Sequence, residues 1–292
     1  MNKAPVLIVG MARSGTTLVS HILGSLPGVH IEVEPHALWK SGNFKYLNDE
    51  EYDDRDKIAA SIRNKLTKDL SGKVLIEKSP INCLRPNLVY KVFPDAKIVY
   101  IERNPVRCIY SNYTRSLKRD SFKLSIILKK YFVYTGSEDL KGAISERGLF
   151  KQISFKDIPR FLQYTARMFY LRQVAGTLPF GPKLKNFATI VKKKGLLYYH
   201  VAVFKAAQRY KKIYSELYGK NMQTFSMENI MNDHNEIKRM LDFLQFSYSE
   251  VWINNIQGSF DSERVKESAE PQAIDKEILA LLDDNDTGNG FS

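Results

Sequence analysis

Four aliphatic residues, Val6-Leu-Ile-Val9, lead directly into Gly10-Met-Ala-Arg13-Ser14-Gly15 and then into the apolar-periodic Thr16-Thr17-Leu-Val-Ser-His-Ile-Leu23. The aliphatic run suits a strand covered on both faces, which is how parallel strands pack. Two glycines bracket the turn, and a helix is predicted to begin at about Thr16. A strand, a glycine-bracketed loop and a helix N-terminus together form an anion site. Loop N–H groups converge there, and the helix dipole adds roughly half a positive charge. Arg13 and the hydroxyls of Thr16 and Thr17 supply further donors.

The spacing equals that of the phosphate loop G-x-x-x-x-G-K-[ST], but Thr16 stands where that motif places its lysine, and the cation comes earlier, at Arg13. Nucleoside-triphosphate enzymes also carry an aspartate after a second hydrophobic strand to organise a metal. Here the second such strand, Lys97-Ile-Val-Tyr-Ile101, is followed by Glu102-Arg103. The pattern keeps the cradle and has little that would hold a metal.

Further along, Val29, Ile31 and Val33 alternate in a short strand closed by Pro35, and Lys73-Val-Leu-Ile-Glu77-Lys78 reads as another. Helical spacing links Ile58, Ile62 and Leu66, and again Leu84, Leu88 and Val92. A last strand and turn are predicted at Thr224–Ile230, then an amphipathic helix through Ile237, Met240, Leu241 and Leu244. Strands alternating with helices predict a doubly wound α/β sheet with its loops at one edge.

The 292 residues are expected to form one domain, with 118–218 as a basic, aromatic-rich helical insertion on the acceptor side. Helices are predicted within it over 159–176 and 198–218. From Arg115 to Ser215 there are 22 Lys and Arg against 5 Asp and Glu, whereas the whole chain carries +12. So uneven a balance points to an anionic substrate, polymer or membrane surface. No apolar run is long enough to span a bilayer, and the first strand starts too early for a signal peptide. Cys83 and Cys108 make no disulfide framework, so the expected setting is the cytoplasm. The tail from Asp283 is expected to fray.

A second anion site is predicted where Arg103-Asn-Pro-Val-Arg-Cys-Ile-Tyr-Ser111 sets an arginine at a strand end and a serine on the following helix. A planar guanidinium and a hydroxyl are a sensible pair for a phosphate monoester.

With both motifs in this order, the chain resembles the sulfotransferases that use 3′-phosphoadenosine 5′-phosphosulfate (PAPS). Gly10–Thr17 is similar to that family's 5′-phosphosulfate loop, and Ala96–Ser111 to its 3′-phosphate motif. Phe225–Ile230 and Phe243–Phe246 resemble its late strand and helix. The resemblance implies a P-loop-like three-layer sandwich with a central parallel sheet and metal-free transfer of a sulfuryl group from PAPS. Arg13, Ser14, Gly15, Thr16 and Thr17 would hold its 5′ end, with Arg13 and Lys78 stabilising the leaving oxygen. Arg103 and Ser111 would take the 3′-phosphate.

Pro80 replaces the histidine base of the family's cytosolic small-molecule branch. Glu34 falls where the Golgi-type branches, including the tyrosyl-protein enzymes, carry a catalytic glutamate. Glu32 is the reserve base, by strand period, and His36 is expected to contact the acceptor. Asn104 replaces the family's usual aspartate, and Ser262–Lys266 is the expected adenine-gripping segment.

The implied enzyme is a bacterial-looking cytoplasmic member acting on a glycan or glycolipid hydroxyl. Peripheral membrane contact through the basic insertion is expected, and no nucleic-acid partner. Two other readings stay open on the residues alone: a nucleotide kinase or NTPase, and a non-catalytic binder of anionic polymers or membranes.

Overall fold

The computed structural model describes residues 4–68, 70–118, 155–258 and 272–284. Its centre is a five-stranded parallel sheet of β1 (Val6–Val9), β2 (Val29–Val33), β3 (Val74–Lys78), β4 (Lys97–Glu102) and β5 (Met222–Ser226), in the order β2-β3-β1-β4-β5. Strand β1 pairs with β3 on one side and β4 on the other, which is why all four of its residues are buried. From β1 the chain first builds β2 and β3 on one flank, then crosses to build β4 and β5 on the other. The topological switch point thus lies between β1 and β4, where open α/β sheets bind their ligands.

Alternation along the strands feeds two cores. Val6 and Ile8 of β1, with Val99 and Ile101 of β4, face α1 (Thr16–Gly24) and, further on, a helix at His234–Leu244. Leu7 and Val9, with Ile98 and Tyr100, face the opposite layer. That layer begins with a short α2 (His36–Trp39), α3 (Asp56–Thr67) and α4 (Pro86–Val92). Helix α5 (Pro105–Leu117) follows β4; Pro105 sits in its first turn, and the Asn104 side-chain Oδ1 caps it, accepting the Arg107 N–H at 3.2 Å.

The segment expected as an insertion divides in two. Residues 119–154 lie outside the described residues, and with them the aromatics Tyr131, Phe132, Tyr134 and Phe150. The rest folds as α6 (Ile158–Ala175), α7 (Phe187–Lys194) and α8 (Leu196–Tyr218). Helix α8 belongs to the core layer itself, as the crossover into β5. Tyr199, Val203, Ala206 and Tyr214 are buried, and the Tyr214 and Tyr218 hydroxyls donate to the carbonyls of Asn82 and Phe93 at 2.8 and 3.0 Å. These aromatics recur at helical spacing because they pack a core, so the basic character of the region belongs to its outer surface.

After β5 come α9 (Met227–Asn232), α10 (His234–Leu244), α11 (Glu250–Gly258) and α12 (Gln272–Asp283). The turn expected after the last strand is helical because the Ser226 hydroxyl caps it, accepting the Asn229 N–H at 3.3 Å. Ser262–Lys266 and the tail beyond Asp284 lie outside the described residues.

Candidate active site

The loop after β1 turns back on itself through two left-handed residues, Arg13 at φ 67° and Gly15 at φ 100°. Arginine rarely adopts that conformation, and holding it there costs about 1–3 kcal/mol. Three buried or bridging contacts secure it. The Asn112 amide, buried on α5, donates to the Ala12 carbonyl at 2.7 Å. Arg103 donates to the Arg13 carbonyl at 3.0 Å, and the Ser14 N–H to the Met11 carbonyl at 3.1 Å.

Gly10 is required by close approach. A Cβ there would lie 2.7 Å from the Ile101 carbonyl oxygen and 2.8 Å from Ser14 Oγ. Since the first of these is backbone, Gly10→Ala is expected to push the loop off β4, with about 1–3 kcal/mol lost in stability. Thermal unfolding and affinity for 3′-phosphoadenosine 5′-phosphate (PAP) should both fall; wild-type values for the two would contradict this account of the loop.

Two clusters form around the loop. In the first, Lys78 at the end of β3 is 1% exposed, and its ammonium donates to Thr17 Oγ1 at 3.1 Å and to Glu34 Oε1 at 2.9 Å. The other Glu34 oxygen meets His36 Nε2 at 3.1 Å. Glu34 reaches this position because it leaves the strand. Its N–H extends the β2–β3 ladder by one bond, to the Lys78 carbonyl, after which φ swings to 52°. The period-two placement of Glu32 beside it therefore does not carry across. Glu32 stays within β2, buried, with Oε1 2.9 Å from His30 Nε2.

In the second cluster, Arg13 Nε donates to Ser111 Oγ at 2.9 Å, while Arg103 reaches over the same loop. Arg13, expected at the 5′ end with Lys78, thus has its side chain on Ser111. Adjacent strands β1 and β4 deliver their loops to one edge, so Arg103 and Ser111 lie beside the β1 loop as expected, and Arg13 joins them there.

Several contributors were not singled out. Met227 packs against Gly15, where a Cβ would fall 2.1 Å from its sulfur, and Glu228 Oε1 accepts the Asn104 N–H at 3.0 Å. Asn112 has a sequence signal: with Cys108 and Ser116 it forms a polar i, i+4, i+8 row on the buried side of α5. Beneath α2, buried Glu77 accepts from Trp39 Nε1 at 2.7 Å and from the Asn82 amide at 3.3 Å. Burial pushes its carboxyl up to about 7.

The donor set fits a ligand with anionic groups at two ends. Three cations, Lys78, Arg13 and Arg103, flank the loop, and Thr16 and Thr17 open α1. Ser14 Oγ is buried there with no hydrogen-bond partner among the described residues. No cluster of three or more His, Cys, Asp or Glu among the described residues is arranged to hold a metal ion.

The lysine-less phosphate loop and the Arg–Ser pair thus lie together at the switch point, an arrangement suited to an anionic ligand. Residues 5–140 match the model described as the sulfotransferase family. An uncharacterized protein of Aquifex aeolicus (strain VF5) is 30% identical over 132 residues, 39% of this chain; the match spans only 17% of that relative's length.

Among solved structures, the sulfotransferase domain of the Synechococcus PCC 7002 olefin synthase is 15% identical, with 96% of this chain and 94% of that one covered at a TM-score of 0.48. A sulfotransferase from Alicyclobacillus acidocaldarius is 16% identical, with 97% and 95% covered and a TM-score of 0.45. Mouse sulfotransferase SULT7A1 complexed with PAP is also 16% identical, with 97% and 73% covered and a TM-score of 0.40.

Proposed function

We propose that this chain transfers a sulfuryl group from PAPS to a hydroxyl of a carbohydrate or glycolipid, with Glu34 as general base and without a metal. One observation carries the reading: the Lys78 ammonium touches both Thr17 of the anion loop and the Glu34 carboxylate. The candidate base and the candidate cradle thus share one buried cation.

When bound, PAPS supplies an activated sulfuryl group, whose bond to the 5′-phosphate oxygen breaks as the acceptor oxygen forms its own bond to sulfur. Glu34 takes the acceptor's proton, a task that needs a carboxylate within hydrogen-bond reach. His36, bonded to the second Glu34 oxygen, orients that carboxylate and contacts the acceptor. Lys78, with the N–H groups at the start of α1, stabilises charge on the leaving oxygen, which is worth most where donors are fixed in advance. Ser14, Gly15, Thr16 and Thr17 hold the 5′ end, and Arg103 and Ser111 hold the 3′-phosphate. Arg13, bonded to Ser111, spans the two ends and adds positive charge to both.

The basic balance of residues 115–215 supports an acceptor that is anionic or borne on an anionic surface. Cys83 and Cys108, both buried free thiols, suit a reducing cytoplasm.

The test is transfer of radiolabelled sulfate from PAPS to glycan and lipid extracts in EDTA. Labelled saccharide or glycolipid product supports the reading. Label only in phenols or proteins would overturn the acceptor class, and absence of product without added magnesium would overturn the metal-free mechanism.

A further inference from the structure

Ala12, whose carbonyl the Asn112 amide holds, is backed by more than α5. Gly181, at φ 84°, lies so close that a Cβ there would fall 3.0 Å from Ala12 Cβ and 3.5 Å from Asn112 Oδ1. The backbone beside that glycine is fixed in turn, since the Phe180 N–H donates to Ser116 Oγ at 2.8 Å. The Ser116 hydroxyl donates to the Asn112 carbonyl at 2.9 Å, and His200 Nε2 on α8 lies 2.8 Å from the same oxygen. Asn112, Ser116 and His200 are all fully buried. A chain of hydrogen bonds thus runs from α8 through α5 to both the anion loop and the turn behind it.

A hydroxyl has one proton to give. Ser116 gives it to the Asn112 carbonyl, so its oxygen accepts from Phe180 and from His200, whose own proton is therefore on Nε2. The opposite tautomer would strand an N–H at Nδ1, a rarer orphan than a bare acceptor. His200 Nδ1 is buried and has no hydrogen-bond partner among the described residues, and neither has Asn112 Oδ1. Around His200 the side chains of Tyr199, Val201, Ala202 and Val203 are buried, so an apolar residue at 200 would pack there without an orphaned atom. Native proteins keep few such atoms, and two in one chain call for an account.

We propose that Ser116 and His200 are positioning residues for the anion loop. Asn112 turns the Ala12 carbonyl toward α5. Carbonyl and N–H point opposite ways across a trans peptide, so the Arg13 N–H faces away from α5. Ser116 and His200 hold the Phe180–Gly181 backbone against Ala12, and the loop cannot relax its left-handed turn at Arg13 by backing into the core. N–H groups fixed in this way bind charge without first reorganising. The role rests on the reading of this loop as an anion cradle, and it extends the cradle's support to α8.

Amide hydrogen exchange and PAP titration of the full chain test the proposal together. His200→Leu is expected to speed exchange of the Ser14 and Phe180 amides by about tenfold, the scale of one lost hydrogen bond. PAP affinity should fall by a similar factor, while the amides of β1 and β4 keep their wild-type protection. His200→Gln, whose amide can still donate to Ser116, should restore both. Faster exchange shared equally by the strands, with no recovery in His200→Gln, would mark a purely structural residue and overturn the proposal. So would wild-type Ser14 exchange, or wild-type PAP affinity, in His200→Leu. Should His200→Leu not fold, Ser116→Ala, the loss of one oxygen, must loosen Ser14 in the same loop-confined way or the proposal fails. Exchange needs no ligand, so a wild-type chain that does not bind PAP would overturn the donor reading alone and leave Ser14 to decide this one.

Discussion

Glu34→Gln is expected to lower sulfuryl transfer by about 10²–10⁴-fold, the range for loss of a positioned general base, while PAP affinity changes little. Glutamine keeps the shape: its oxygen can accept from Lys78 and its amide can donate to His36 Nε2, so the contacts at 2.9 and 3.1 Å have substitutes. What it cannot do is take the acceptor's proton. Single-turnover transfer rates and PAP titration of the same preparation separate the two effects. A variant within tenfold of wild type would remove Glu34 as the base and turn attention to Glu32 and His36.

The second large effect is on stability. Asp49 is buried, 3.2 Å from the Lys40 ammonium, and its other oxygen accepts the Lys183 N–H at 2.9 Å. Burial works to raise its carboxyl, but the cations of Lys40, Arg85 and Lys183 outweigh that and hold it at about 2. Burial lowers Lys40 and Arg85, because it penalises their charged forms.

Asp49→Asn leaves two buried cations uncompensated, and a loss of about 3–5 kcal/mol is expected near neutral pH, read as a fall in denaturant midpoint. The carboxyl titrates at about 3.9 in an unfolded chain. Its contribution is therefore complete above pH ~4 and disappears as pH falls through ~2. Wild type should show that acid step, and Asp49→Asn should lack it. A variant within about 0.5 kcal/mol of wild type would mean that the pair adds nothing to the fold.

Most of the sheet was legible because buried parallel strands are written as short aliphatic runs. Val6–Val9 matches the expected first strand residue for residue, β2 carries the expected alternation of Val29, Ile31 and Val33, and the helices predicted over 159–176 and 198–218 appear at Ile158–Ala175 and Leu196–Tyr218. The placement of Arg103 and Ser111 beside the β1 loop was also legible, since parallel neighbours deliver their loops to one edge.

The local backbone was not legible. Arg13 and Glu34 are two of the five non-glycine residues with positive φ among those described, a conformation imposed by tertiary contacts that no propensity signals. For the same reason Arg13 was expected beside Lys78 and instead bonds Ser111. Helix α8 looked like part of an insertion because its aromatics sit among lysines. Only the packing of Tyr199 and Tyr214 against the sheet layer shows it to be part of the core.

Transfer from PAPS, as proposed, requires a cradle that holds a doubly phosphorylated adenosine through side chains and backbone alone. Calorimetric titration with PAP in EDTA, alongside ATP with and without magnesium, tests this most directly. PAP is expected to bind without metal, and Arg103→Ala to weaken it by about 10–100-fold through loss of a charged hydrogen-bonding partner. No binding of PAP, or binding of ATP alone and only with magnesium, would contradict the assignment and favour a nucleotide kinase.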